Sequence, residues 1–568
     1  AGEYMVLSGS RNTGLGLFAL AVMLTAIGEW VRRKKRQCSA SLPVFWKAGW
    51  AHIAVIIIII ITIGVKFYRF EAAPEGLAFD EAVKGAVAAN ILTGNVSFEP
   101  YIAMKESPFY YLVAFFMWLF GYTTAAMRLT ATAFAAAGLL LMHGLLRRMF
   151  DFRVAFVSSV LMTVSLWHNT VSRICQRLVL LPLVTAMVML CIYKIHKTGR
   201  WYWFMLLGFT AGAGFYTYPP MKIFLVIIIP VLIYEICKRP RWVMQQWLKT
   251  ILSAACFLLL LTIPLGRDAF RFPSVHFSAA PFGYADQSYH LPDNLTYNLK
   301  DLLWTWHSHP LHGGTKRPIN IPFPLLDPVT GVFFLIGLAV CVMRIRRFPE
   351  ALLLFGFLAG VMPGVLFTPF QRRLVIATFL AFPISALGFI HAAESVFLAF
   401  QKRQFGRRCA ACSLALILWL PVVSGWKILN DKLFHYDRYY AISAAHEYTA
   451  KLVCRGYDVM FCGRFDPPRF NLAYFQETHD VAGNMIKRVR NINNLPSIPL
   501  HSGCEHDMAI LMTRFPSLGH FEKKLRDTYP HVMREDHRRG GQIVYIVFLI
   551  PHEDIETSVD RRNRSSLR

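Results

Sequence analysis

"SPFYYLVAFFMWLFG", residues 107–121, decides how this chain is threaded. It is apolar enough to count as a membrane span, yet shorter than the roughly 17–25 residues a helical span uses. Counted as a span, it reverses the orientation of everything after it relative to the first two apolar runs. The basic cluster Arg32, Arg33, Lys34, Lys35 and Arg36 would then oppose all later clusters. Placed on the membrane surface, it leaves the clusters on one side: Arg147/Arg148/Arg153, Lys194/Lys197/Arg200, Lys238/Arg239/Arg241/Lys249, Arg344/Arg346/Arg347 and Lys402/Arg403/Arg407/Arg408. Lys and Arg collect in cytoplasmic loops, so that side is the expected cytoplasmic one.

Working outward, about twelve apolar runs are long enough to span a bilayer. They lie near 15–31, 50–67, 128–146, 154–170, 178–195, 201–217, 221–237, 250–266, 329–344, 350–367, 374–393 and 409–428. The composition agrees: 55% of the 568 residues are hydrophobic and 17% charged, and the mean hydropathy is +0.40, more apolar than a soluble domain requires. The net charge of +26 is then carried by the loops and does not point to nucleic acid. No cleavable signal peptide is recognisable at Ala1. The expected localisation is a bacterial or archaeal cytoplasmic membrane.

The outer side holds a first loop at 68–127, short turns near 172–177, 216–222 and 368–373, a loop at 267–328, and everything after about 429. Within the first loop, 80–93 reads as a second surface helix, because Val83, Val87 and Ile91 recur at helical spacing. Beyond 429 the apolar runs shorten to strand length ("YDVMFCG", "MAILM", "QIVYIVFLI") and alternate with helical stretches. That pattern predicts a small extracytoplasmic α/β domain over 429–568, after a membrane domain over 1–428. Cys454, Cys462 and Cys504 lie there, with a disulfide as one option.

Ionisable residues gather on the outer side: Asp80/Glu81, Glu106, Arg128, Arg173/Arg177, Lys222 and Arg372/Arg373. Charges at membrane depth are costly and tend to be paired or functional. A carboxylate among several cations suits a phosphate-bearing substrate: the cations hold the phosphate and the carboxylate takes a proton from an acceptor.

"FDEAVKGAVAANILTG", "KESPFYYLVAFFMWLFG" and "MRLTATAFAAAGLLLMHGLLRRMF" occur in an order that resembles the GT-C membrane glycosyltransferases, in particular the protein O-mannosyltransferase and lipid A aminoarabinose transferase group. "HNTVSRICQRLVLLPL", "GFYTYPPMK" and "PLLDPVTGVFFLIGL" extend the likeness over about 50–395. The resemblance implies an all-α polytopic GT-C fold and transfer of a sugar from a polyprenyl phosphate to a protein, lipid or glycan hydroxyl on the outer face. It implies Asp80 as the base, with Glu81 beside it. It implies Lys222, Arg372, Arg373 and Arg173 on the donor phosphate, and Glu106 and Tyr218 positioning the acceptor or a cation. The loop "WHNTVSRICQR" lacks the metal-binding acid of oligosaccharyltransferases, so no cofactor is expected to be required and a divalent cation is not favoured. The first span, 15–31, is additional to the usual start.

Plainer roles compete. Asp80 could simply cap the helix, and Glu81 could complement its dipole. Arg128, Arg173 and Arg177 could reach to lipid headgroups, and Arg372/Arg373 could anchor at the interface. His307, His309 and His312 lack an acidic or cysteine partner for a metal. Two rival functions remain: a transporter or lipid flippase, which predicts broken helices and midplane polar groups, and a non-catalytic subunit that presents the C-terminal domain.

Overall fold

The computed structural model describes residues 76–95, 101–102, 105–268, 325–366, 371–399, 440–462, 465–480, 482–492, 506–513, 518–539 and 542–558, with isolated positions near 60–67 and 419–423. The expected spans at 15–31 and 409–428, the histidines of 307–312, Cys504 and most of the loop 267–328 lie outside them. The described chain divides into two compact units. Unit 1 comprises 1–70, 99–109 and 131–433; unit 2 comprises 71–98, 110–130 and 434–568.

Unit 1 is helical. Among the described residues five helices are long and apolar enough to cross a membrane: Thr124–Met149, whose residues 124–130 fall in unit 2, Arg177–Thr198, Pro219–Lys238, Phe348–Leu366 and Val375–Phe397. A sixth candidate is bent by 63° between Phe152–Val164 (α4) and Leu166–Arg173 (α5). Helices also lie over the expected spans at 201–217, 250–266 and 329–344: Trp201–Phe215 (α7), Trp247–Asp268 (α11) and Pro328–Met343 (α12). Between these stand Leu180–Thr198 (α6), Pro219–Phe224 (α8), Ile228–Lys238 (α9) and Pro240–Gln245 (α10). Phe348–Leu366 (α13) and Val375–Ala399 (α14) follow.

Small residues set the closest crossings. A Cβ at Gly337 on α12 would run into the Ile384 carbonyl of α14, and one at Gly388 into that of Phe333. Gly208 of α7 meets the Ser253 carbonyl of α11 in the same way. Among lipid tails, backbone approach of this kind supplies the packing that hydrophobicity cannot.

The stretch that opened the sequence reading forms the helix Pro108–Phe120 (α2), too short to be among the candidate spans. Phe109, Tyr110, Val113 and Met117 are buried, while Phe115, Trp118, Leu119 and Phe120 are exposed. That split suits a helix lying at a membrane surface.

Unit 2 carries an α/β sheet of five strands in the order β4-β3-β5-β7-β6. β3 (Asp458–Cys462) pairs in parallel with β4 (Val489–Ile492) and with β5 (Met508–Met512); β7 (Gln542–Ile550) runs antiparallel to β5 and to β6 (Met533–Arg539). "MAILM" is buried throughout because both sheet faces are covered. Ala509 and Leu511 face one apolar cluster with Val459, Phe461 and Val547. Met508, Ile510 and Met512 face the other, with Ile546, Phe548, Phe521 and Leu525. The period of two is that of a strand. Helix Leu518–Thr528 (α17) covers the second face. Cys454 and Cys462 are free thiols.

Unit 2 also contains the first-loop helix, Phe79–Leu92 (α1), which packs on helix Pro467–Thr478 (α16). Its buried residues are Ala82, Gly85, Ala86, Ala88 and Ala89, with Glu81 and Lys84. The valine stripe expected to face the membrane, Val83, Val87 and Ile91, is only half-buried. The small residues win because α16 comes too close for larger ones: a Cβ on Gly85 would stand 2.6 Å from Leu472 Cδ2.

Candidate active site

α1 begins after Gly76, whose φ of 72° is a left-handed conformation that glycine adopts without steric cost. The helix is not capped by Asp80. The N-cap is Ala78, and Glu81 reaches back so that its Oε2 accepts from Ala78 N at 3.1 Å, the carboxylate half of a capping box. Glu81 Oε1 also meets Arg128 Nε at 3.4 Å, with both side chains 1% exposed. Arg128 Nη2 in turn donates to Gly76 O at 2.7 Å. Two further bonds within unit 2 fasten the same turn: Leu77 N donates to Ser443 Oγ at 2.7 Å, and Arg469 Nε to Leu77 O at 3.0 Å. Arg469 is itself paired with Asp466.

Asp80 stands at the second helical position and is half-exposed. Among the described residues its carboxylate takes part in no hydrogen bond or ion pair; only its backbone carbonyl does, accepting from Lys84 Nζ at 2.6 Å. Two adjacent acids therefore differ in kind. Glu81 is committed to the fold, and Asp80 is available.

The cations expected to hold a phosphate lie in unit 1, apart from Arg128. At the bend between α4 and α5, Ser165 caps the second helix, its Oγ accepting from His168 N at 3.3 Å. Asn169 Nδ2 donates to Thr163 O at 2.7 Å and to Ser165 O at 2.9 Å, satisfying carbonyls that the break frees. This places His168, Ser172 and Arg173, all buried, along one short helix. Lys66, fully buried, donates from Nζ to Ser172 Oγ at 3.0 Å. It is a close neighbour of Arg173 and His168. His168 Nε2 is buried and has no hydrogen-bond partner among the described residues.

Arg177, also buried, lies 5.6 Å from the centroid of the Tyr218 ring. Tyr218 opens α8, where Pro219 and Pro220 start the helix. One turn on, Lys222 is half-buried with Nζ 4.7 Å over Phe215. Arg372 and Arg373 sit on a single 3-10 turn ahead of α14, the first half-buried and the second buried. Glu106 belongs to β2 (Lys105–Glu106), paired antiparallel with β1 (Tyr101–Ile102).

The site residues are thus distributed. Asp80, Glu81 and Arg128 are in unit 2; Glu106, Arg173, Arg177, Tyr218, Lys222, Arg372 and Arg373 are in unit 1. Arg128, Arg173 and Arg177 do not reach out to headgroups, since all three are buried. The sequence reading missed Lys66 and His168. Its available signal was a lysine ending an apolar run, a position that intramembrane chemistry uses. Among the described residues no group of three or more His, Cys, Asp or Glu is placed to hold a metal ion.

A family model described as dolichyl-phosphate-mannose-protein mannosyltransferase matches residues 106–265. Two solved structures are similar along most of both chains. ArnT from Cupriavidus metallidurans bound to undecaprenyl phosphate has 10% sequence identity and a TM-score of 0.51, covering 89% of this chain and 98% of that one. Its apo state has 12% identity and a TM-score of 0.50, covering 88% and 98%. The Archaeoglobus fulgidus oligosaccharyltransferase tethered with an acceptor peptide has 12% identity and a TM-score of 0.48, over 79% of this chain and 64% of that chain. No curated protein sequence matches the chain. At these identities the structural likeness is one of fold.

Proposed function

We propose that this chain, a GT-C superfamily membrane glycosyltransferase by family match and fold, moves a sugar from a polyprenyl-phosphate donor to a hydroxyl acceptor on the extracytoplasmic face, with Asp80 as general base. The observation that carries the reading is the contrast on α1. Glu81 is held by the capping box and by Arg128, whereas Asp80 is half-exposed with its carboxylate unengaged among the described residues. A general base must be reachable by the proton it removes.

In the transfer, the acceptor oxygen forms a bond to the anomeric carbon as the bond from that carbon to the phosphate oxygen breaks. The hydroxyl proton passes to Asp80. The electron pair leaves with the lipid phosphate, whose charge needs cations. Arg173, Lys222, Arg372 and Arg373 are the proposed partners of that phosphate, and Lys66 joins Arg173 through their shared position beside Ser172. Glu106 and Tyr218 are the proposed acceptor-positioning groups. The basic loops are proposed as cytoplasmic by the positive-inside rule. No metal is assigned a step.

ArnT has been seen with undecaprenyl phosphate, and that lipid class is the donor type proposed here. The test is transfer in proteoliposomes supplied with polyprenyl-phosphate hexoses and pentoses. Asp80→Asn is expected to bind polyprenyl phosphate normally and to transfer about 10²–10⁴-fold more slowly. Normal transfer by Asp80→Asn removes the residue as base.

One observation favours the transporter alternative: the 63° break between α4 and α5 is a form that transporters use at their binding sites. Polyprenyl-lipid flux without sugar transfer would support that reading over the enzyme.

A further inference from the structure

Unit 1 contains a cavity of about 310 Å³ between α6, α7, α9 and α11, at the small end of ligand-site volumes. Its walls are apolar, among them Ile192, Phe204, Ala211, Leu225, Ile228 and Phe257. One end is polar. There His196 Nδ1 lies 2.5 Å from Glu235 Oε1, and Arg239 Nη2 lies 2.6 Å from Glu235 Oε2. Arg239 also stacks 4.4 Å from the Trp242 ring centroid. Among the described residues Glu235 is the only acid lining the cavity, and Arg239 compensates it.

Lys249 marks the same end. Its Nζ donates to Gln246 Oε1 and Gly199 O, each at 2.7 Å, which uses two of an ammonium's three N–H donors. Lys197, Arg200, Lys238 and Arg241 stand exposed on the neighbouring turns. Trp201 and Trp247 are 57% and 62% exposed, and exposed tryptophans of this kind mark the level of lipid headgroups. The cavity therefore has a cationic mouth at the interface and an apolar body in the hydrocarbon. It lies apart from the donor site proposed around Lys222. Glu235 follows Lys222 by thirteen residues on one span, about 20 Å at 1.5 Å per residue.

We propose that this cavity binds one acidic phospholipid from the leaflet on the basic side, its phosphate on Lys249 and an acyl chain between α7, α9 and α11. The net positive mouth selects an anionic headgroup over a zwitterionic one, whose own cation would face Lys249, Lys238 and Arg241. The apolar walls require a lipid rather than a free phosphate.

Native mass spectrometry of the full chain tests this, with phosphatidylglycerol and phosphatidylcholine of matched chains, undecaprenyl phosphate and inorganic phosphate as probes. The wild type is expected to retain one phosphatidylglycerol about tenfold more tightly than phosphatidylcholine, and no inorganic phosphate. Ala254→Phe, which fills the cavity from α11, is expected to lose that lipid. Lys249→Glu, a half-buried position whose change leaves the apolar packing intact, is expected to lose the preference while keeping a lipid. Equal retention of the two phospholipids by the wild type overturns the proposal. So does retention of phosphatidylglycerol by folded Ala254→Phe, or an unchanged preference in Lys249→Glu. Displacement of phosphatidylglycerol by undecaprenyl phosphate overturns it too, because the cavity would then belong to the donor.

Discussion

In unit 2 the buried Glu81 carboxylate meets a buried counterion, Arg128, and the pair closes the first turn of α1. In unit 1 the buried Lys66 ammonium meets a neutral hydroxyl, Ser172 Oγ, and stands beside another cation, Arg173. The first arrangement is self-sufficient: its charges cancel and its hydrogen bonds are local. The second gathers like charge where charge is expensive. Opposite pairs bury well enough to hold a fold, whereas gathered cations suit a site built to receive an anion.

Breaking the comparison at its acidic end has the largest expected effect. Asp80→Asn should lower transfer by about 10²–10⁴-fold, the usual worth of a positioned general base, without moving the thermal unfolding of the protein. Arg128→Ala should do the reverse. It strands the Glu81 carboxylate and should cost about 3–5 kcal/mol of stability, the usual range for one broken buried pair, measured by thermal or denaturant unfolding. If the two substitutions exchange phenotypes, the division between Asp80 and Glu81 is wrong.

At the cationic end, Lys66→Met should weaken polyprenyl-phosphate binding by about 10- to 100-fold, the range for a hydrogen bond to a charged group. Binding of the corresponding prenol should be unchanged. Equal loss for both lipids would mean that Lys66 supports the packing rather than the phosphate. Gly85→Leu sharpens the contrast from the packing side. Leu472 leaves no room at that position, so unfolding should show a loss of about 1–3 kcal/mol, as overpacking does.

The smallest effect concerns thiols of unit 2. Burial pushes the Cys462 thiol up to about 12, so at pH 8 it should resist iodoacetamide in the folded protein. Cys454 is exposed and should alkylate. A disulfide-linked Cys462 would be contradicted by its alkylation after unfolding without a reductant.

Much of this was legible in the sequence. The helices over 124–149, 177–198, 348–366 and 375–397 follow from apolar length, and the strands "MAILM" and "QIVYIVFLI" from their composition and bounds. The shortness of 107–121 is that of the helix it forms, Pro108–Phe120. Less legible was the face α1 buries. Periodicity picks the largest apolar side chains, Val83, Val87 and Ile91, but a close helix crossing selects the smallest, and only the position of Leu472 reveals that Gly85 is needed. The cap was misread for a related reason. Asp80 is the better capping residue by type, yet Glu81 at the third position reaches back to Ala78 and fixes the start two residues earlier than an Asp80 cap allows. Lys66 was passed over because a lysine ending an apolar run looks like an anchor. Its proposed role rests on a contact with Ser172, over a hundred positions away.

The central claim is that Asp80 takes the acceptor proton. Its most direct test is mass spectrometry of glycoconjugates from a strain lacking this protein, complemented with wild type or with Asp80→Asn at equal membrane abundance. The account predicts a sugar-sized mass shift on the acceptor restored by the wild type and absent with Asp80→Asn. A shift restored in full by Asp80→Asn would contradict it.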